Sequence, residues 1–369
     1  MKVIQILPEL NAGGVEGHVL DLAGFLASTG HESIVISNGG NMVAKLEQRG
    51  VRHVTMPMHR KSLRSLFQVR KLRAWLRAEK PDVVHAHSRV PAWIAWLALR
   101  GMDPLTRPKF VTTVHGFYSV NAYSAIMTKG DRIIAVSESI RTYVQEKYPA
   151  CDPRLIAVIP HGIDPTLYHP NFKPSDAWLA QWHHEHPELI GKKLLLLPGR
   201  ITRLKGHSDF FQLISELKKS GQPVCGLIAG NTHQKKQAYL QGLQRQANDL
   251  GITNDIIFLG HRSDLRELMA VSDIVMALSQ QPESFGLTVL EALALGRPVV
   301  GYDCGGVGEL LHTLFPTGKV PPVAFTELLA TTSKILESPS SPTSNNRYVL
   351  EKSLAATADI YDFLAKKNS

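Results

Sequence analysis

Short apolar runs recur along the 369 residues, separated by stretches of helical spacing. In the first half they fall at residues 3–7, 33–37, 51–54, 83–86, 110–114 and 132–136. The pattern restarts at about residue 192, with runs at 193–197, 224–229, 256–259, 274–277 and 298–300. The runs are continuous rather than alternating and are mostly rich in β-branched residues, which predicts strands of a parallel sheet covered on both faces by helices. The expected fold class is therefore α/β, with two doubly wound domains in series. The stretch from Pro160 to Pro174, rich in proline, reads as the connection, and domains are expected over 1–170 and 171–345. Residues 338–346 are too polar and proline-broken for a core element, and helical spacing returns from Tyr348 to Lys367. Ligands of such sheets bind at the carboxyl ends of strands, so a central cleft faced by both sheets is the expected site.

Hydrophobic residues at 44% and charged residues at 20% exclude a largely disordered chain. No apolar run approaches the roughly 18 residues that a membrane-spanning helix needs. The first eight residues hold too short an apolar stretch for a signal peptide and read as a strand. Cys151, Cys225 and Cys304 are odd in number and scattered, which argues against a disulfide framework or a zinc site and for a reducing cytoplasm. Charge adds a further asymmetry. Residues 1–165 carry 21 Lys and Arg against 13 Asp and Glu, whereas residues 166–369 carry 20 against 19. A one-sided basic excess suits nucleic acid, anionic lipid or a phosphorylated ligand.

The first strand leads into Gly13-Gly14, where paired glycines would let backbone N–H groups approach an anion at a helix N-terminus. Ala12, Gly14 and Gly17 have the offsets of a dinucleotide fingerprint, but the second strand ends in Ser37-Asn38 with no acid for a ribose, which disfavours NAD. In the second half, Arg200 and Lys205 occupy a strand-to-helix loop, where two cations can clamp a diphosphate; a solvated basic loop is the plain alternative. Residues 282–292 hold Glu283 and Glu291, with Gly286 and Thr288 at the expected start of a helix whose free N–H groups would face a phosphate. Eight helical residues would separate the carboxylates by about 12 Å, beyond the roughly 5–9.5 Å of a glycosidase pair. That spacing fits two ends of one extended ligand, or an ordinary amphipathic helix.

His115 stands at a strand end, where it could meet a substrate hydroxyl, act as an acid or base, or be structural. His85 and His87 also fall at a strand end. His183, His184 and His186 lack a completing Cys or carboxylate and read as surface. Arg60, Lys61, Arg64, Arg70, Lys71 and Arg73 lie in a basic helical stretch whose apolar stripe is Leu63, Leu66, Phe67, Val69, Leu72 and Leu76. Such a helix suits anionic lipid, or packs its stripe on a sheet with its charges in water.

Taken in order, these motifs resemble glycosyltransferase family 4, retaining enzymes of the two-domain GT-B fold. The double glycine, His115, Arg200 with Lys205, Glu283 with Glu291, residues 285–287, 291–300 and 305–309 carry the likeness. The resemblance implies that Arg200 and Lys205 bind a donor diphosphate. Glu283 would hold sugar hydroxyls, aided by the backbone around Phe285, Gly286, Leu287 and Thr288, and Glu291 would hold the nucleotide ribose. Gly13 and Gly14 would approach the donor, His115 would lie near the reacting sugar, and Gly260, His261 and Arg262 would line the base pocket. The final segment, 346–369, would cross back to the first domain. His161 replaces an Asn common in the family, and Gly308 a proline near Glu309, which would alter loop stiffness. The implied reaction is metal-independent hexosyl transfer from a nucleotide sugar, UDP-linked rather than GDP-linked, with no cofactor. The basic first half points to an anionic acceptor, such as a lipopolysaccharide-core glycan or glycolipid at the cytoplasmic face of the inner membrane. A nucleotide-sugar epimerase of the same fold is the alternative, and no nucleic-acid motif is present.

Overall fold

A computed structural model describes residues 1–11, 13–59, 65–231, 237–344 and 346–366. Ala12, Arg60, Lys61, Leu63 and Arg64 lie outside the described residues, as does the side chain of Leu66. The chain forms two compact units, one of residues 1–162 with 350–369 and one of residues 163–349.

In the first unit the elements run β1 (Lys2–Ile6), α1 (Gly14–Ser28), β2 (Glu32–Ser37), α2 (Val43–Gln48), β3 (Arg52–Thr55), α3 (Ser65–Glu79), β4 (Val83–Ala86), α4 (Arg89–Arg100), β5 (Lys109–Val114), β6 (Arg132–Ala135), α5 (Glu138–Lys147) and β7 (Ile156–Val158). All strands pair in parallel, in the order β3-β2-β1-β4-β5-β6-β7. Side chains of the inner strands are buried on both faces, as in Val3, Ile4 and Ile6 or Val83 and Val84, which is why the apolar runs are continuous.

The second unit contains α6 (Asp176–Glu185), β8 (Lys193–Pro198), α7 (His207–Lys219), β9 (Val224–Ala229), α8 (Gln237–Asp249), β10 (Ile256–Gly260), α9 (Leu265–Val271), β11 (Ile274–Ala277), α10 (Leu287–Ala294), β12 (Val299–Tyr302), α11 (Gly305–Leu314), β13 (Lys319–Val320) and α12 (Phe325–Glu337). Its parallel order is β10-β9-β8-β11-β12-β13. Both sheets reverse direction of growth at one place, beside β1 and β4 in the first and beside β8 and β11 in the second. In sheets of this kind ligands bind at the carboxyl edge beside that point.

The last helix, α13 (Leu350–Lys366), belongs to the first unit. Its Leu354, Ala358, Tyr361 and Leu364 join Val3, Leu22, Leu26, Val83, Val111 and Ile134 in one apolar cluster. At its start, Ser353 Oγ donates to the Pro160 carbonyl at 2.7 Å.

The expected strands are all present, and β7 and β13 are additional. On α3, Val69, Leu72 and Leu76 are buried, whereas Phe67 is 70% exposed. Phe67 departs from the apolar stripe because it lies about half a turn from Val69 at 100° per residue.

Candidate active site

The carboxyl edge of the second sheet is built from two loops that meet. After β8, Gly199-Arg200 leads into a short 3-10 turn ending at Lys205, and Gly206 then starts α7 in a left-handed conformation, φ 70°. A Cβ on Gly206 would lie 2.1 Å from the Leu278 carbonyl oxygen. Only glycine allows this approach, since both the conformation and the contact exclude a side chain. The contact brings the Lys205 loop against the segment after β11. There Lys205 Nζ donates to Glu283 Oε1 at 2.6 Å, and Ser279 Oγ donates to the same oxygen. Glu283 and Lys205 side chains each keep 28% exposure, so the pair is accessible from one side.

The backbone of Glu283 is fixed as well. Its carbonyl accepts from Gly306 N at 2.7 Å, and a Cβ on Gly306 would stand 2.4 Å from Phe285 Cα. Gly308 lies within α11, where a Cβ would meet Asp303 Oδ1 at 2.3 Å. It therefore serves helix packing rather than the stiffness of a loop. Gly286, φ 92°, caps α10; the Val289 amide bonds back to its carbonyl at 2.9 Å, which leaves the Leu287 and Thr288 amides without an acceptor inside the helix.

Glu283 and Glu291 do not share a helix. α10 begins at Leu287, so Glu283 sits in the preceding loop rather than on the same helix. Burial pushes Glu291 up to about 7, although a hydrogen bond with the Tyr168 hydroxyl favours its ionised form. Arg200 is exposed and Phe285 is buried. Gly260 ends β10 at φ 66° and His261 is exposed. Arg262 is committed to Asp264, with Nε and Nη2 contacts of 2.8 and 2.6 Å, and lies over the Trp182 ring.

In the first unit, Gly13 precedes α1 and supplies no side-chain cap. At the same edge stands a group of histidines from different elements: His18 on α1, His85 on β4, His87 after it, His115 after β5 and His161 after β7. The rings of His115 and His161 stack with centroids 5.6 Å apart, and His18 approaches His161 at 4.7 Å. His85 is bonded at Nδ1 to the Tyr361 hydroxyl and at Nε2 to Thr113 Oγ1, at 2.6 and 2.7 Å. Burial, then mutual repulsion, holds His85, His87 and His115 well below the usual histidine range. Burial also lowers His161, to about 4.

Of the basic helix, Arg70 and Lys71 are exposed, but Arg73 donates to the Ala98 and Leu97 carbonyls at the end of α4, at 3.0 and 2.9 Å. Arg73 therefore caps a helix instead of facing a ligand. His183 and His184 are exposed, and His186 pairs with Glu188. Among the described residues, no group of three His, Cys, Asp or Glu could hold a metal ion. Gln5, Tyr168 and Tyr361 carry no local signal because each reaches its partner only through the fold, whereas Ser279 lies four residues before Glu283 in one segment.

Residues 12–167 match the family described as Glycosyltransferase Family 4, and residues 180–348 match Glycosyl transferases group 1. Together the matches span most of the chain, which is a family 4-like glycosyltransferase of the GT-B fold. N-acetyl-alpha-D-glucosaminyl L-malate synthase of Bacillus anthracis is 26% identical over 330 residues, covering 84% of this chain and 80% of that protein. The lipopolysaccharide core biosynthesis mannosyltransferase LpcC of Rhizobium leguminosarum bv. viciae is 27% identical over 188 residues, 51% of this chain and 49% of that protein. The crystal structure of Anabaena HepE in complex with UDP and glucose is similar in fold, with a TM-score of 0.81 at 22% identity, over 98% of this chain and 100% of that one.

The Glu291 carboxyl yields a prediction about stability. Its folded value of about 7 exceeds the ordinary 4.5, so the native state holds the proton more tightly than the unfolded chain. Its contribution is complete below the unfolded value and is lost as pH rises through the folded one. Glu291→Gln should therefore lose less thermal stability than the parent between about pH 5 and about pH 8. Scanning calorimetry at each pH measures this, and identical slopes would contradict it.

Proposed function

We propose that this chain transfers a hexosyl group, with retention, from a nucleotide-diphosphate sugar to an anionic glycan or glycolipid acceptor, in lipopolysaccharide core or other cell-envelope polysaccharide synthesis. The observation that carries the reading is the Lys205–Glu283 pair at the carboxyl edge of the second sheet, with Arg200 earlier in the Lys205 loop and Glu283 three residues before the Gly286 cap of α10. An ammonium has three donors. One meets Glu283, which leaves two for a diphosphate oxygen. Arg200 and the first amides of α10 add further positive potential.

In this reading the sugar C1–O bond to the diphosphate breaks while a bond from the acceptor oxygen to C1 forms on the same face. The acceptor proton passes to the leaving phosphate oxygen. Negative charge grows on that phosphate, and fixed cations and dipoles stabilise it without reorganising. Arg200 and Lys205 supply this stabilisation in a metal-independent way. Glu283 accepts hydrogen bonds from sugar hydroxyls, Glu291 from the ribose, and the backbone of residues 260–262 and 285–288 shapes the donor pocket. On the first unit, Gly13, Gly14 and His115 are assigned to substrate binding. A UDP-linked donor is favoured by the fold shared with HepE, whose structure holds UDP and glucose.

The acceptor reading rests on charge and on the names of the relatives. The excess of basic residues lies in the first half, and LpcC is named for lipopolysaccharide core biosynthesis. No described helix is long and apolar enough to cross a membrane. We assign the enzyme to the cytoplasm, in peripheral contact with anionic lipid through α3, where exposed Phe67 stands beside exposed Arg70 and Lys71.

Two measurements test these assignments. Lys205→Ala should lower kcat for product formation from a UDP-sugar and membrane extract by about 10²- to 10³-fold, the size expected for a lost transition-state cation. Unchanged turnover in a folded variant would remove the diphosphate role, and donor conversion without any acceptor would point to an epimerase. Separately, co-sedimentation with phosphatidylglycerol vesicles should weaken with added salt and with Phe67→Ser. Salt-independent binding, or none, would remove the membrane assignment.

A further inference from the structure

The histidine group contains a directed hydrogen-bond chain. Gln5, buried on β1, places its Nε2 toward the Val19 carbonyl at 3.5 Å. A carbonyl oxygen only accepts, so the amide nitrogen belongs on that side and Oε1 faces His87 Nε2, 3.0 Å away. Oε1 also only accepts, which makes His87 Nε2 the protonated nitrogen. A neutral His87 then carries a bare Nδ1. That atom lies 3.1 Å from His115 Nε2, which must donate to it. By the same reasoning, Nδ1 of a neutral His115 is bare. It is buried and has no hydrogen-bond partner among the described residues.

The neutral state follows from the surroundings. His87 is 1% exposed. His115 and His87 are faced by His18 from α1, by His85 from β4 and by His161 from the segment after β7. A second positive ring in this group would be repelled by the first and stripped of water.

We infer that Gln5 and His87 are positioning residues that lock His115 in its Nε2–H tautomer, so that its bare Nδ1 is offered as an acceptor to a substrate hydroxyl. A buried acceptor without a partner is costly, and a hydroxyl is the group that satisfies it. The substrate half of this inference rests on the sugar-transfer reading; the tautomer half rests on geometry alone. In transfer, such an acceptor aligns a hydroxyl without removing its proton, because burial and the neighbouring rings disfavour the positive charge that taking the proton would create.

Two-bond ¹H–¹⁵N correlation spectra of the full chain with ¹⁵N-labelled histidine read the tautomers directly. His115 and His87 should each show a protonated Nε2 and a bare Nδ1 near neutral pH. His87→Leu removes the acceptor and should let His115 populate both tautomers, with kcat/KM lowered about tenfold, the size of one hydrogen bond. His87→Asn, whose side-chain oxygen can accept in place of Nδ1, should restore both. A protonated Nδ1 on His115 in the parent protein would overturn the inference, as would His87→Leu that leaves tautomer and kcat/KM unchanged. The spectra need no substrate. A chain showing the expected tautomers but no sugar transfer would keep the relay and lose the functional reading, whereas an active enzyme with His115 protonated at Nδ1 would lose only the relay.

Discussion

The backbone contact of Gly206 with the Leu278 carbonyl is the constraint on which the second unit's chemistry depends. It forces the loop after β8 and the loop after β11 to meet, and the Lys205–Glu283 pair forms where they do. Gly306 repeats the device from α11, closing on Phe285 and accepting no Cβ. A cation and a carboxylate are thereby fixed at one point before any ligand arrives. Preorganisation of this kind matters because a flexible lysine would have to give up rotamer entropy at the moment of binding.

The first unit solves a different problem. Five imidazoles gather at one sheet edge, an arrangement that would be unstable if several were charged. Burial keeps them neutral, and neutral rings can be chained as donor and acceptor. α13 contributes to this from the far end of the sequence, since its Tyr361 hydroxyl pairs with His85 while its apolar face covers β1 and β4. The C-terminal helix therefore supports the polar network as well as the core of that unit.

Much of the architecture was legible because strands buried on both faces write themselves as unbroken apolar runs. β7 and β13 were not, since three and two residues carry too little pattern to separate from loop. Arg200, Lys205, Glu283 and the glycine before α10 were legible from their place after strands. One reading failed for a local reason: Arg73 is held by the end of α4. Gln5 shows why the rest was hidden. In sequence it is a lone polar residue inside an apolar strand, and its partner His87 is 82 residues away. Only the parallel register of β1 with β4 brings the two together.

The central claim is that the second unit grips a nucleotide through its diphosphate. Calorimetric titration with UDP and with uridine tests it without reference to acceptor or product. UDP should bind at least about a hundredfold tighter than uridine, roughly 2.7 kcal/mol, as charge-assisted bonds to two cations require. Equal affinities for the two would contradict it.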